Sequence, residues 1–172
     1  YVQPEGGNDM DVSYYGDVME VAKQTAYDLA SVGEMMTAQI MMPHPDDKDT
    51  VLVLTIPPGI TLRDALHHTV TTFKPIFWVA FAETRVKEIP ADDTQIVIDA
   101  IERGDELPEQ YQNVAVAKDV DNPEVLIVTG RVHGESAHTY QAYITTDTEG
   151  ERTIGDWTEL PGLGGALSEI DW

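Results

Sequence analysis

His44, Asp46 and Asp47 stand together in the run Met41-Met42-Pro43-His44-Pro45-Asp46-Asp47-Lys48, and these side-chain types could hold a metal ion and move a proton. A metal-bound water needs its pKa lowered and a nearby carboxylate to take its proton, so the run has the ingredients of a hydrolytic site. The same residues also make a turn. Prolines flank His44, and Asp46-Asp47-Lys48-Asp49 supplies solvated carboxylates just ahead of the apolar run that begins at Val51. The turn accounts for every residue without a ligand and is the stronger expectation.

The tetrapeptide His44-Pro45-Asp46-Asp47 resembles the HPDD element of the zinc-dependent N-acetylglucosamine deacetylases of the LmbE-like family. The resemblance implies zinc ligation by His44 and Asp47 and a general base at Asp46. It covers this tetrapeptide alone. In that family the element follows a buried first strand near the N-terminus and is usually completed by Glu, where this chain has Lys48. Its members are also much larger, and a further histidine ligand comes from a distant segment.

The remaining histidines form two groups. If "GESA" is a hairpin loop, His133 and His138 end the flanking strands opposite each other, with Cβ atoms ~5 Å apart. Paired imidazoles at that distance, with Glu135 in the loop, could bind a divalent metal or titrate together near neutral pH; the alternative is exposed loop-edge histidines. His67 and His68 are adjacent on a predicted helix, about 100° apart around its axis, and read as half-covered residues flanking the apolar stripe. No G-x-G-x-x-G or Walker-type loop, G-x-S-x-G elbow or H-E-x-x-H motif occurs. With no cysteine, disulfides and thiolate sites are excluded. No cofactor is expected.

The elements that must position these groups are read from periodicity. Residues 1–15, with Pro4, Gly6 and Gly7, read as a mobile lead-in. Asp17 as N-cap, with Glu20 behind it, predicts a helix whose apolar stripe is Val18, Val21, Ala22, Thr25, Leu29 and Val32, ending near Gly33. Residues 34–42 fit helix or strand. Val51–Ile56 reads as a buried strand, and Thr61 with Asp64 starts a helix with the stripe Leu62, Leu66, Thr69, Val70 and Phe73. Residues 76–89 fit either period, but their aromatic and β-branched start favours a strand. Asp92 or Asp93 can cap a helix that stops at Gly104. From Asn113 onward, "NVAVAK", "EVLIVTGRV", "TYQAYITT" and "ERTIGDWTEL" read as a strand meander. The expected class is α+β, with about three helices in the first two thirds packed on a mostly antiparallel sheet. Residues 16–160 are expected to form a single domain, followed by a C-terminal segment, 161–172, whose Leu163, Leu167, Ile170 and Trp172 need something to bury them or a contact surface to meet.

Charge bounds the partners. Lysine and arginine number 10 against 31 aspartates and glutamates, for a net charge of -21 over 172 residues. Direct nucleic-acid binding, which rests on neutralising phosphates, is not expected. The acids are spread along the whole chain and so belong to the folded surface. They suit solubility or high salt, or an acidic face that meets a basic protein. No run of ~18 apolar residues offers a membrane span. The expectation is a non-enzymatic, soluble, cytoplasmic protein that acts by protein contact as an accessory or assembly factor, with nucleic-acid mimicry as a special case. The alternative is a small metal-dependent hydrolase built on His44, Asp46 and Asp47.

Overall fold

The computed structural model describes residues 12–33, 37–47, 49–87, 89–160, 170 and 172. The chain divides into two compact units, Tyr1–Glu83 with Leu126–Trp172, and Thr84–Val125.

A short 3-10 turn, Val12–Tyr14, leads into helix α1, Tyr15–Val32. The start lies two residues ahead of Asp17, which sits in the first turn instead of capping it. The buried face also differs from the stripe expected above. It consists of Val18, Met19, Ala22, Ala26 and Ala30, while Val21, Leu29 and Val32 are exposed. The alanines, all fully buried, bring the helix axis close to the sheet, and size alone does not decide which face turns inward.

Strand β1, Gln39–Pro43, and strand β2, Val51–Thr55, form a hairpin around the His44–Thr50 loop. The run at Val51, expected to be a buried strand, is only partly covered, with Val53 and Thr55 exposed, because among the described residues it pairs with β1 alone. Helix α2, Leu62–Phe73, is capped as its sequence predicts: Thr61 Oγ1 accepts a hydrogen bond from the Asp64 N–H at 3.1 Å. Strand β3, Phe77–Arg85, settles the ambiguous aromatic run in favour of a strand. Strand β4, Glu124–Val132, and strand β5, His138–Thr146, flank the loop 133–137. The segment read as one final strand is two short pieces, β6, Arg152–Ile154, and β7, Thr158–Leu160, which pair with successive stretches of β5. Among the described residues the antiparallel sheet has seven strands in the order β2-β1-β3-β4-β5-β6, with β7 also on β5. The fold is α+β, as expected from the sequence.

Alternation along the strands gives the sheet two apolar faces. Phe77, Val79 and Phe81 pack with α1, Met41, Leu126, Val128, Ala142 and Ile144. Trp78 and Ala80 face the other way, against Ile40, Met42, Ile56 and the α2 residues Leu66 and Val70. This second cluster also takes in Ile170, which is buried, and Trp172. Leu163 and Leu167 lie outside the described residues. Arg152 on β6 forms a buried ion pair with Glu83 on β3.

In the second unit, helix α3, Ala91–Arg103, follows Pro90, with Asp92 and Asp93 in its first turn. There they complement the positive end of the helix dipole without serving as the cap. Gly104, at φ 70°, ends the helix in the left-handed conformation that glycine tolerates best. "NVAVAK", expected to be a strand, is helix α4, Asn113–Lys118. Its alternation of apolar and small residues is too short to separate the two periods.

Candidate functional site

The HPDD loop is built as a turn. His44 Nδ1 accepts hydrogen bonds from the main-chain N–H groups of Asp46, at 3.0 Å, and Asp47, at 3.1 Å. Asp47 Oδ1 accepts from the Asp49 N–H at 3.2 Å, and the His44 N–H closes the loop onto Thr50 O at 3.0 Å. Hydrogen bonding from Thr50, then from the Asp49 main chain, holds the Asp47 carboxyl below its usual range, as it would for any carboxylate held ionised in a turn. One imidazole nitrogen is therefore committed to the main chain, and Asp46 and Asp47 stand exposed around it. Among the described residues, no group of three His, Asp or Glu side chains is placed to hold a metal ion.

His133 and His138 take separate partners on opposite faces of the sheet. His138 shares the face of Tyr140, Ala142 and Ile144, and its Nδ1 lies 3.1 Å from the Tyr15 hydroxyl on α1. His133 Nε2 lies 2.8 Å from the main-chain oxygen of Trp172, with the rings 5.0 Å apart between centroids. The loop 133–137 is one residue longer than the "GESA" hairpin reading, so the residues that were to face one another are out of step. Glu135 is exposed in that loop, and its main-chain oxygen accepts from Arg131 Nε at 2.7 Å. His67 and His68 are both exposed on α2, not half-covered.

The described C-terminal residues are anchored on the same unit. Trp172 Nε1 donates to Pro75 O at 2.7 Å, Arg131 donates to Ile170 O at 2.8 Å, and the Arg131 guanidinium lies 5.4 Å from the Trp172 ring. Ile170 and Trp172, considered above as contact residues, are used inside the fold.

Packing at Gly130 was not read from the sequence. A Cβ there would lie 2.6 Å from the Met19 terminal methyl and 2.8 Å from the Tyr15 hydroxyl, so α1 crosses β4 where there is no side chain. A glycine inside the strand run "VTGRV" is the signal that could have marked this close approach. Burial, then the nearby Tyr140, Glu135 and Glu159, raises the Tyr15 pKa well above the ordinary value. Beside this contact, Glu20, Lys23, Gln24, Tyr27 and Trp157 line an open cleft of ≈ 260 Å³. Lys23 is already engaged there, 3.2 Å from Glu20 and 3.6 Å above the Tyr140 ring.

Helix α3 carries a different surface. Ile96 is 54% exposed, Ile98 37% and Ile101 54%, and exposed acids surround them: Asp92, Glu102, Asp105 and Glu106. Arg103 is the helix's basic residue, and it is turned back onto Asp99 O at 3.2 Å and Asp105 at 3.5 Å. Elsewhere in this unit Tyr111 donates to Asp93, with Lys87 5.4 Å from its ring, and Arg85 is paired with Glu124. The sequence shows the apolar spacing of α3, but not that Val97 and Ala100 are the residues that turn inward.

No protein-family model, curated protein or solved structure gives a significant match to this chain. Among the described residues, no helix is long and apolar enough to cross a membrane.

Proposed function

We propose that this protein acts by protein–protein contact, as an accessory or assembly factor whose partner is basic. The observation that carries this reading is α3, where exposed isoleucines lie among exposed carboxylates with little basic counter-charge. Apolar area of this kind contributes roughly 25 cal/mol for each Å² covered, while the surrounding acids steer a basic partner and reject acidic ones. An amphipathic segment with lysine or arginine beside its apolar stripe satisfies both demands. The hydrolase reading lacks comparable support, since His44 Nδ1 is held by main-chain N–H groups and no third donor joins Asp46 and Asp47 among the described residues.

The test is capture on the immobilised protein at moderate salt, with the wild type beside an Ile98→Ser/Ile101→Ser variant. A basic protein retained by the wild type and lost at least tenfold by the variant is the expected result. Equal retention by both would remove α3 from the interface, and the absence of any selective basic partner would overturn the reading. Competition by double-stranded DNA for that partner would identify the acidic surface as a nucleic-acid mimic.

A further inference from the structure

Among the described residues strand β2 pairs only with β1 and so forms an edge of the sheet. The Ile56 N–H donates to Ala38 O at 2.9 Å and the His44 N–H to Thr50 O at 3.0 Å, both in step with the β1–β2 register. In an antiparallel ladder the bonded residues alternate. Leu52 and Leu54 therefore direct their main-chain groups to β1, and Val51, Val53 and Thr55 direct theirs outward. Folded proteins guard such an edge with lysine, proline, an inward charge or a bulge. The sequence Val51-Leu52-Val53-Leu54-Thr55 has no charged residue and no proline, and Val53 is 47% exposed.

We propose that β2 pairs antiparallel with β2 of a second copy of this chain, about a two-fold axis through Val53, so that two sheets become one. The strand is close to a palindrome about that residue. The pairing sets Val53 on Val53, Leu52 on Leu54 and Val51 on the nearly isosteric Thr55, which are the β-branched and aliphatic cross-strand pairs a sheet favours. The outward groups belong to Val51, Val53 and Thr55, so each registered pair among them exchanges both its N–H···O bonds. Charge is placed to permit the contact. The five paired residues carry no charge, the neighbouring acids Asp47 and Asp49 belong to the turn before the strand and not to the ladder, and Pro57 and Pro58 end it on the other side. A ladder of five residues is small beside the ~800 Å² per partner of a standard stable interface, so the dimer is expected to be weak and concentration-dependent. With a net charge of -21 on each chain, added salt strengthens association by screening the long-range repulsion.

Sedimentation equilibrium from about 1 to about 300 μM, which brackets a micromolar Kd, should show the wild-type mass rising from one chain to two, with the transition at lower concentration in high salt. Val53→Pro removes an outward donor at a position where an edge strand tolerates proline, and should stay at one chain with an unchanged circular dichroism spectrum. The chain has no cysteine, so Val53→Cys introduces a single thiol. Across a bonded antiparallel pair the Cα atoms are ~5.5 Å apart, within disulfide reach, and mild oxidation should link Val53→Cys at least tenfold faster than Tyr143→Cys, an exposed control. A wild type that stays at one chain at the highest concentration, or Val53→Cys linking no faster than the control, would overturn the proposal. The Ile98→Ser/Ile101→Ser variant should dimerise like the wild type, which separates this surface from the one assigned to the basic partner.

Discussion

His44 shows how one residue supports contrary readings until its hydrogen bonds are known. An imidazole beside two carboxylates is a ligand set if its nitrogens face a common point, and a turn cap if one of them faces the main chain. Here Nδ1 takes the N–H groups of Asp46 and Asp47. Gly130 and Tyr15 carry two predictions at this scale. Gly130→Ala places a methyl against Met19 and Tyr15, and overpacking of that order should cost about 1–3 kcal/mol in urea denaturation. The second concerns alkaline pH. Burial raises the folded-state pKa of Tyr15 above the ordinary 10.0, so the unfolded chain releases this proton first. Stability is then fully present below pH 10 and falls as pH rises from there through the folded-state pKa. Tyr15→Phe should flatten that part of the pH–stability curve, as measured by urea midpoints across the alkaline range.

The elements differ in how well their sequence signals survive packing. The Thr61 cap on α2 is a local contact between residues close in the chain, and it forms as read. Thr61→Ala should lower stability by about 1 kcal/mol, and Thr61→Asp should restore it, since aspartate caps equally well; thermal melts of the three proteins check this. Helix α1 is the opposite case. Its largest aliphatic residues predicted a stripe through Val21, Leu29 and Val32, yet the alanine face is buried, because Gly130 lets the helix descend onto β4. The preference belongs to the fit between two surfaces distant in sequence, and no window on α1 alone contains it. "NVAVAK" and "ERTIGDWTEL" diverge from expectation for another reason. Short runs of mixed alternation satisfy either period, and Gly155 to Trp157 break the last strand while β5 continues past it.

For the whole molecule, charge makes the broadest prediction. Self-repulsion at -21 acts between exposed carboxylates over distances that salt shortens to ~3 Å at 1 M. Raising the salt should therefore raise the melting temperature, by ~2–4 °C for each ~1 kcal/mol of repulsion relieved in a chain of this length. Differential scanning fluorimetry from low to high salt checks this, and a flat response would mean that the acids are already compensated in the fold. The contact with a basic partner should move the other way, its association slowing as ionic strength rises because steering is lost. The opposed salt trends separate a surface property of the single chain from a binding face.

The sequence by itself determined the α+β class, that Val51 opens a strand though not that the strand is half-exposed where a buried one was expected, the cap at Thr61, the end of α3 at Gly104 and the acidity of the surface. Each is a short-range or summed property that a window of residues contains. Only the tertiary structure decided which face of α1 turns inward, that His133 and His138 separate to opposite sides of the sheet, and that Ile170 and Trp172 are spent on the chain's own core. Each depends on partners far away in sequence: β4 beneath α1, α1 over His138, and Pro75 and Arg131 beside Trp172. The open edge of β2 lies between these cases. Its self-complementary order is written in five consecutive residues, but that the strand ends the sheet among the described residues, and so has main-chain groups to offer, follows from the order in which the strands are laid side by side.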